Sequence, residues 1–368
     1  MKIKTICSQC FFALIIILFA NTSCNKVPES IFNEIILIDF SDELVHNASE
    51  LFENVSYLQL NTGSDMPLGE ISSLKIFDNI LVVFDESQES LFLFDDNGVL
   101  LNSVNSIGKG PGEYLSISDY NIINDELYVI TNRTNIDKFS LKGRFIERVG
   151  SSPHFIDQFQ VDKKDYIVLS KLNDDENRIF VFDKDFGLID RKLPYKDDNV
   201  PLFNFWPELP MTKANDSVYF YLPEDYGIYS YSKEQIIPKF KYRFKGVSID
   251  LDNLSANDIN SNTLPVIRGF FFINNYLITQ LTYKGIMYQH IYSLASKKSK
   301  LYNVFEINND IDNLMLLWSL AYGASEKHLY SVIPFELFED DTVRANFINE
   351  FSEDIDNSVI GVFSIKEF

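Results

Sequence analysis

From Val55 to Phe368, short apolar runs alternate with polar turns rich in Asp, Asn and Gly, and the alternation recurs as a larger unit. Its kernel is an apolar strand, a polar turn, a second strand, a turn with Asp, Asn or Gly, and a third strand. The kernel reads NILVVFDESQESLFLFDDNGVLLNSV at Asn79–Val104, DELYVITNRTNIDKFSLKGRFIERV at Asp125–Val149 and KDYIVLSKLNDDENRIFVFDKDFGLIDRKL at Lys164–Leu193. Fainter copies run through Asn215–Tyr242 and Asn274–Val304. A sixth begins at Glu326, carries HLYSVIP, and resumes at Ser358 with SVIGVFSI. Short apolar runs bounded by turn residues are strands, and their repetition marks a repeat architecture.

Each kernel follows another apolar segment: Ile71–Phe77, Ile117–Ile123, Phe155–Val161, Phe205–Thr212, Gly269–Ile273 and Leu314–Tyr322. Every unit therefore has four strands, a to d from axis to rim. The predicted fold class is all-β, a six-bladed β-propeller with four-stranded blades. Strict alternation fails in the inner strands because neighbouring blades cover both of their faces. The sixth unit ends after its third strand, whereas Val55–Leu60 (VSYLQL) alternates but has no blade of its own. The N-terminal strand is therefore expected to complete the last blade and leave no open edge.

The first residues change the picture of where the chain resides. Lys2 and Lys4 precede an apolar run at Phe11–Ala20 that is short for a membrane span, and Asn21-Thr22-Ser23 leads into Cys24. Small residues before a cysteine resemble the bacterial lipobox, although Asn21 replaces the usual Leu. Residues 1–23 are thus expected to be a lipoprotein signal peptide and Cys24 the lipidation site. Cys7 and Cys10 lie inside that segment, so a mature chain starting at Cys24 has no thiol pair for a disulfide. Residues 24–54 are expected to hold the lipidated cysteine, a tether and a lead-in, with a strand at Ile35–Phe40 and a short helix within Asp42–Asn54. The propeller is expected over 55–368.

Tyr57–Leu60, then Gly69-Glu70-Ile71, then IGKGPGEY at Ile107–Tyr114 resemble the six-bladed β-propeller lipoproteins of Bacteroidetes, relatives of the NHL-repeat propellers. The strand start Arg268-Gly269-Phe270 shares the likeness, which weakens between residues 195 and 260. The resemblance implies the fold and an anchored lipoprotein of the cell envelope, at the outer membrane. It implies no reaction.

Topology singles out one face. The c–d turns (Asp96-Asn97-Gly98, Lys142-Gly143, Phe186-Gly187) and the a–b turns (Asp78-Asn79, Asn274-Asn275) are short. The d–a links Lys192–Leu209 and Lys245–Ile267 and the b–c insertion Phe335–Asn357, with helix-like spacing at Val343, Phe347 and Phe351, are long and emerge together. Long loops on a rigid scaffold commonly bind, so this face is the expected binding surface. Its candidate ligand-binding residues are Lys109 and Glu113 in the glycine-rich link, His154, Trp206 and Glu208 near the channel mouth, Arg268 at an inner strand's start, and Trp318. Each also has a structural reading: blade junction, ion pair or core packing.

Charge and chemistry narrow the function further. The net charge is −21, and −23 without residues 1–23. So acidic a surface repels nucleic acid and anionic headgroups, so no nucleic-acid partner is expected. The histidines His46, His154, His290 and His328 lack ligand spacing, and no metal site is expected. Asp250-Leu251-Asp252 and Asn308-Asn309-Asp310 leave only calcium open as a cofactor. No nucleophile elbow occurs. The expected function is a monomeric, membrane-anchored binding module for a glycan, peptide or envelope protein. The alternative is a hydrolase or lyase acting on glycans or lactones through channel carboxylates.

Overall fold

The computed structural model describes residues 31–41, 44–63, 67–162, 165–169, 177–194, 209–223, 225–232, 234–247, 263–312, 314, 321–339, 345, 347 and 357–368. Strands β1 (Glu34–Ile38) and β2 (Phe52–Gln59) precede the first complete blade. Blade 1 comprises β3 (Ile71–Phe77), β4 (Ile80–Asp85), β5 (Ser90–Phe94) and β6 (Leu100–Val104). Blade 2 holds β7 (Ile117–Ile123), β8 (Glu126–Thr131), β9 (Asn135–Ser140) and β10 (Phe145–Ser151). Blade 3 holds β11 (Gln158–Asp162), β12 (Asp165–Leu169), β13 (Asn177–Phe182) and β14 (Leu188–Pro194). Blade 4 holds β15 (Met211–Ala214), β16 (Ser217–Leu222), β17 (Gly227–Ser232) and β18 (Gln235–Phe244). Blade 5 holds β19 (Val266–Ile273), β20 (Tyr276–Tyr283), β21 (Ile286–Ser293) and β22 (Ser299–Asn303). Blade 6 contributes β23 (Ala321–Ala324), β24 (His328–Ile333) and β25 (Val359–Ile365).

Strand β2 supplies the missing outer strand of blade 6. It pairs antiparallel with β25, placing Tyr57 opposite Gly361 and Leu58 opposite Ile360. The six four-strand antiparallel orders expected from the repeat are all present. Closure in this way leaves the last blade no vacant ladder.

The lead-in differs from expectation. The strand at Glu34–Ile38 is not a free tether element but a fifth strand of blade 4, parallel to β18, with Ile36 opposite Tyr242 and Ile38 opposite Phe244. The reason is burial: Ile36 and Ile38 enter the apolar layer between blades 4 and 5. The helix expected within Asp42–Asn54 is only a 3-10 turn at Ala48–Glu50. Phe52 already belongs to β2, held between Tyr302 and Phe363, so the boundary at residue 55 falls inside a strand. The segment between the two strands crosses the rim of blade 5, where Val45 N–H donates to the Leu301 carbonyl and Ala48 N–H to that of Asn308.

Side chains explain the ring. Six apolar layers occupy the six blade junctions, for example Val82, Leu91, Tyr120 and Phe139 between blades 1 and 2, and Leu74, Phe92, Val332 and Ile360 between blades 6 and 1. The other four layers fill the junctions between. Central strands such as β5 are buried at every residue, whereas outer β10 is largely solvated. A sheet packed on both faces needs continuous apolar runs, and the rim does not. A seventh cluster, with Ile333, Phe338, Phe347 and Val359, packs the start of the blade 6 insertion against the ring.

The turns mesh neighbouring blades. Gly98 in the c–d turn of blade 1 has φ +76°, and a Cβ there would lie 2.1 Å from the Gln59 carbonyl oxygen at the end of β2. Gly143 repeats the contact against the Ser103 carbonyl of blade 1. In blade 3 the roles exchange. Phe186 occupies the turn, and the glycine, Gly150, sits in the neighbouring outer strand. Near the axis, polar bonds tie consecutive blades: Asn121 Nδ2 donates to the Phe159 carbonyl, Met211 N–H to Gln158 Oε1, and Gln280 Nε2 to the Ala321 carbonyl.

Candidate functional site

In blades 1, 2, 4 and 5 the a–b turns are two-residue hairpins built from residues that tolerate the left-handed region. Asn124, Asp125, Asn215, Asp216 and Asn274 all have φ between +47° and +61°. These turns ring one end of the axis. Inside them lies a cavity of about 760 Å³ whose wall takes residues from the inner strands of all six blades. That volume falls within the usual range for small-ligand sites.

The wall follows a register. In blades 1 to 5 the residues three positions before the a–b turn are Lys75, Asn121, Gln160, Thr212 and Phe271, and all line the cavity, to which blade 6 adds Tyr322. In blades 1 to 4 polar groups thus sit at a level of the inner strands where the ring no longer demands an apolar contact, whereas Phe271 of blade 5 still packs in its layer. Thr212, Gln160 and Tyr322 are half-buried, and Asn121 is buried. Lys213 is exposed and lines the cavity, with no ion-pair partner among the described residues. Asn124, Asn215, Asn274 and Ser325 form the mouth together with the exposed carboxylates Asp216 and Glu326.

Lys75 is held from behind. Its ammonium pairs with Asp119 of blade 2, donates to the Tyr120 carbonyl at 2.8 Å, and lies 4.9 Å from the Tyr120 ring centroid. Asp119 is buried, and its second oxygen accepts the Phe159 N–H of blade 3 at 3.0 Å. One carboxylate thereby fixes three blades, and the pair brings no net charge to the wall. Burial pushes the Tyr120 hydroxyl far above its ordinary range, so it remains a neutral donor to the Val82 carbonyl.

Of the residues expected to bind, Lys109, Glu113, His154 and Arg268 lie outside the cavity wall. Lys109 and Glu113 are exposed in the link between blades 1 and 2. Glu113 accepts the Gly110 N–H at 2.7 Å, and a Cβ on Gly112 (φ +78°) would strike Phe145. Tyr114 donates to the Val104 carbonyl, and burial pushes its hydroxyl up to about 12. Those bonds make the link a blade junction. His154 stacks on Phe180 of the third strand of blade 3, with ring centroids 5.0 Å apart. Arg268 is the bulged residue of β19, half-buried, with Nε donating to Thr282 Oγ1 at 3.3 Å. Neither is in the cavity wall. Trp206, Glu208, Trp318, Cys24 and the Asp250–Asp252 stretch lie outside the described residues. Asn308 and Asp310 instead hold the lead-in: Asp310 accepts from Ser49, and Asn308 donates to Asn47.

Sequence reading missed the cavity wall because its polar residues differ in type from blade to blade. The signal was one non-aliphatic residue recurring at a fixed distance before the Asn- or Asp-containing turns of blades 1, 2, 4 and 5. Among the described residues there is no group of three or more His, Cys, Asp or Glu placed to hold a metal, and no helix long and apolar enough to cross a membrane.

Six four-stranded sheets around a polar-lined axial cavity define a six-bladed β-propeller. The chain belongs to the family described as "Domain of unknown function (DUF4934)", whose sequence profile matches residues 36–361. Among solved structures it is similar to an exported protein of Bacteroides fragilis that is titled putative. The two share 18% identity over 90% of this chain and 100% of that one, with a TM-score of 0.69. It is also similar to a member of the DUF4221 family from Bacteroides vulgatus, at 9% identity over 86% and 97% of the chains and a TM-score of 0.55. Comparison with curated proteins gives no match.

Proposed function

We propose that the protein is an exported, lipid-anchored binding module that holds a small glycan in its axial cavity. Export is supported by the targeting segment ending at Cys24 and by the description of its structural relative as exported. The observation that carries the ligand class is the wall itself. Asn121, Gln160 and Thr212 offer groups that both donate and accept, as sugar hydroxyls require, while Phe272 and Tyr322 offer ring faces. The long-connection face stays the outer surface for a larger partner, and much of it lies outside the described residues.

The wall's carboxylates are Asp216 and Glu326, set in turns of blades 4 and 6 at the mouth. This arrangement favours holding a ligand over acid–base cleavage at a buried bond. A glycan array on the mature chain, followed by the same array on Ala214→Trp, tests the proposal. Ala214 lines the cavity and is half-buried, so the indole fills the mouth without displacing core. Retention of a glycan by the parent and at least a tenfold weaker signal for the variant are expected. Equal retention by both, or none by the parent, contradicts it.

A further inference from the structure

The acidity of this chain is unevenly distributed. No Asp or Glu occurs between Asp258 and Glu306, which spans all of blade 5, while that stretch contains Arg268, Lys284, Lys297, Lys298 and Lys300. None occurs from Gln235 to Val247 either, a stretch that covers β18 and carries Lys239, Lys241, Arg243 and Lys245. Opposite, blade 1 is the reverse: no Lys or Arg lies between Lys75 and Lys109. The outer edge of blade 4 and the adjoining c–d turn of blade 5 are therefore a basic rim on an acidic protein.

Strand β1 runs along that rim. Its register with β18 sets Ile35 beside Lys241 and Leu37 beside Arg243 on one face, while Ile36 and Ile38 turn inward. Ile31, Ile35 and Leu37 are 45%, 38% and 56% exposed. Lys297, at the base of the strand, pairs with Glu34, and Lys241 lies over the Phe32 ring. Exposed aliphatics also occur on other rims, at Leu101, Ile146 and Ile189. Blade 4 differs in two ways: its aliphatics stand in register with cations, and the chain enters the fold there. Ile31 comes seven residues after Cys24. Even a fully extended chain spans at most about 25 Å over that distance.

We propose that the β1–β18 rim of blade 4 rests on the headgroups of anionic phospholipid, orienting the propeller on its membrane. The proposal relies on acylation of Cys24. Whole-chain repulsion does not prevent the contact, because screening confines electrostatics to about 8 Å at physiological salt, and the carboxylates within the rim, Glu34 and Asp39, are paired with Lys297 and Lys245. Each Lys or Arg close to an anionic surface strengthens association roughly fivefold. Aliphatic side chains at the interface add to it, as in surface-bound amphipathic elements.

The test uses the mature, acylated chain reconstituted in phosphatidylcholine vesicles with and without phosphatidylglycerol. A solvent-sensitive dye is placed on Leu37→Cys or, as the control, on Leu101→Cys of blade 1. A blue shift at position 37 only, only with phosphatidylglycerol and reversed by high salt, is expected. Lys241→Gln with Arg243→Gln should weaken the contact by about 25-fold. The salt titration asks the same question without substitution, should that variant fold poorly. Equal emission at both positions, or a shift that follows protein density rather than lipid charge and so reports a second copy on the rim, overturns the proposal. Mass analysis of the N-terminal peptide reads the anchor separately: an unmodified Cys24 overturns the anchored arrangement, whatever the cavity binds.

Discussion

The imidazole of His290, in the third strand of blade 5, is buried with no hydrogen-bond partner for either nitrogen among the described residues. Burial pushes its pKa down to about 3, from 6.5. The unfolded chain therefore takes up a proton below pH 6.5 that the folded chain refuses until about pH 3. Stability from this group is complete above pH 6.5 and falls through that window by about 1.4 kcal/mol per pH unit. Denaturant titrations of the parent and His290→Leu from pH 7 to 4 are expected to show a shallower acid decline in the variant. Lys75→Met leaves Asp119 buried without its cation and is expected to cost about 3 kcal/mol in the same assay. Gly98→Ala forces a side chain into positive φ against a backbone carbonyl, and the backbone conformation alone is expected to cost about 1–3 kcal/mol. Single residues were the least legible scale in the sequence. Lys109, Glu113 and Arg268 stood out by composition, yet the first two lie in a junction and the third in a bulge. The cavity wall stayed hidden because Lys75, Asn121, Gln160 and Thr212 share a place in their blades but not a residue type.

The two N-terminal strands separate closure from reinforcement. Strand β2 is the outer strand of blade 6, whereas β1 adds to a blade that already has four. Deleting residues through Ser41 is expected to leave a folded monomer with a lower Tm. Deleting through Leu60 also strips Phe52, Val55 and Leu60 from their layers and is expected to abolish cooperative melting, as read by circular dichroism. Where inner strands were long, the sequence located them well: Ile71–Phe77 and Ile117–Ile123 are the inner strands of blades 1 and 2 residue for residue. The inner strand of blade 4 shifted from Phe205–Thr212 to Met211–Ala214, because it is short and half polar. The helix anticipated in the lead-in failed for another reason. Leu51 and Phe52 are spaced as well for a strand as for a helix, and the vacant edge of blade 6 decided between them.

At the scale of the whole molecule, repetition was legible because every blade must fill the same wedge between two neighbours. Six apolar layers then follow from six kernels. That a cavity lies at the a–b end of the axis was not legible, since it depends on where polar residues accumulate once the wedge is filled. The a–b end is also the end at which the chain joins blade 4, while the long connections leave the opposite face. Hydrogen exchange of the mature chain, with and without a glycan retained on the array, tests the central claim most directly. Added protection at the a–b ends of the inner strands, around Asn121–Asn124, Thr212–Asp216 and Phe272–Asn274, is the predicted result. Protection confined to the long-connection face, with those strand ends unchanged, would contradict the axial cavity as the binding site.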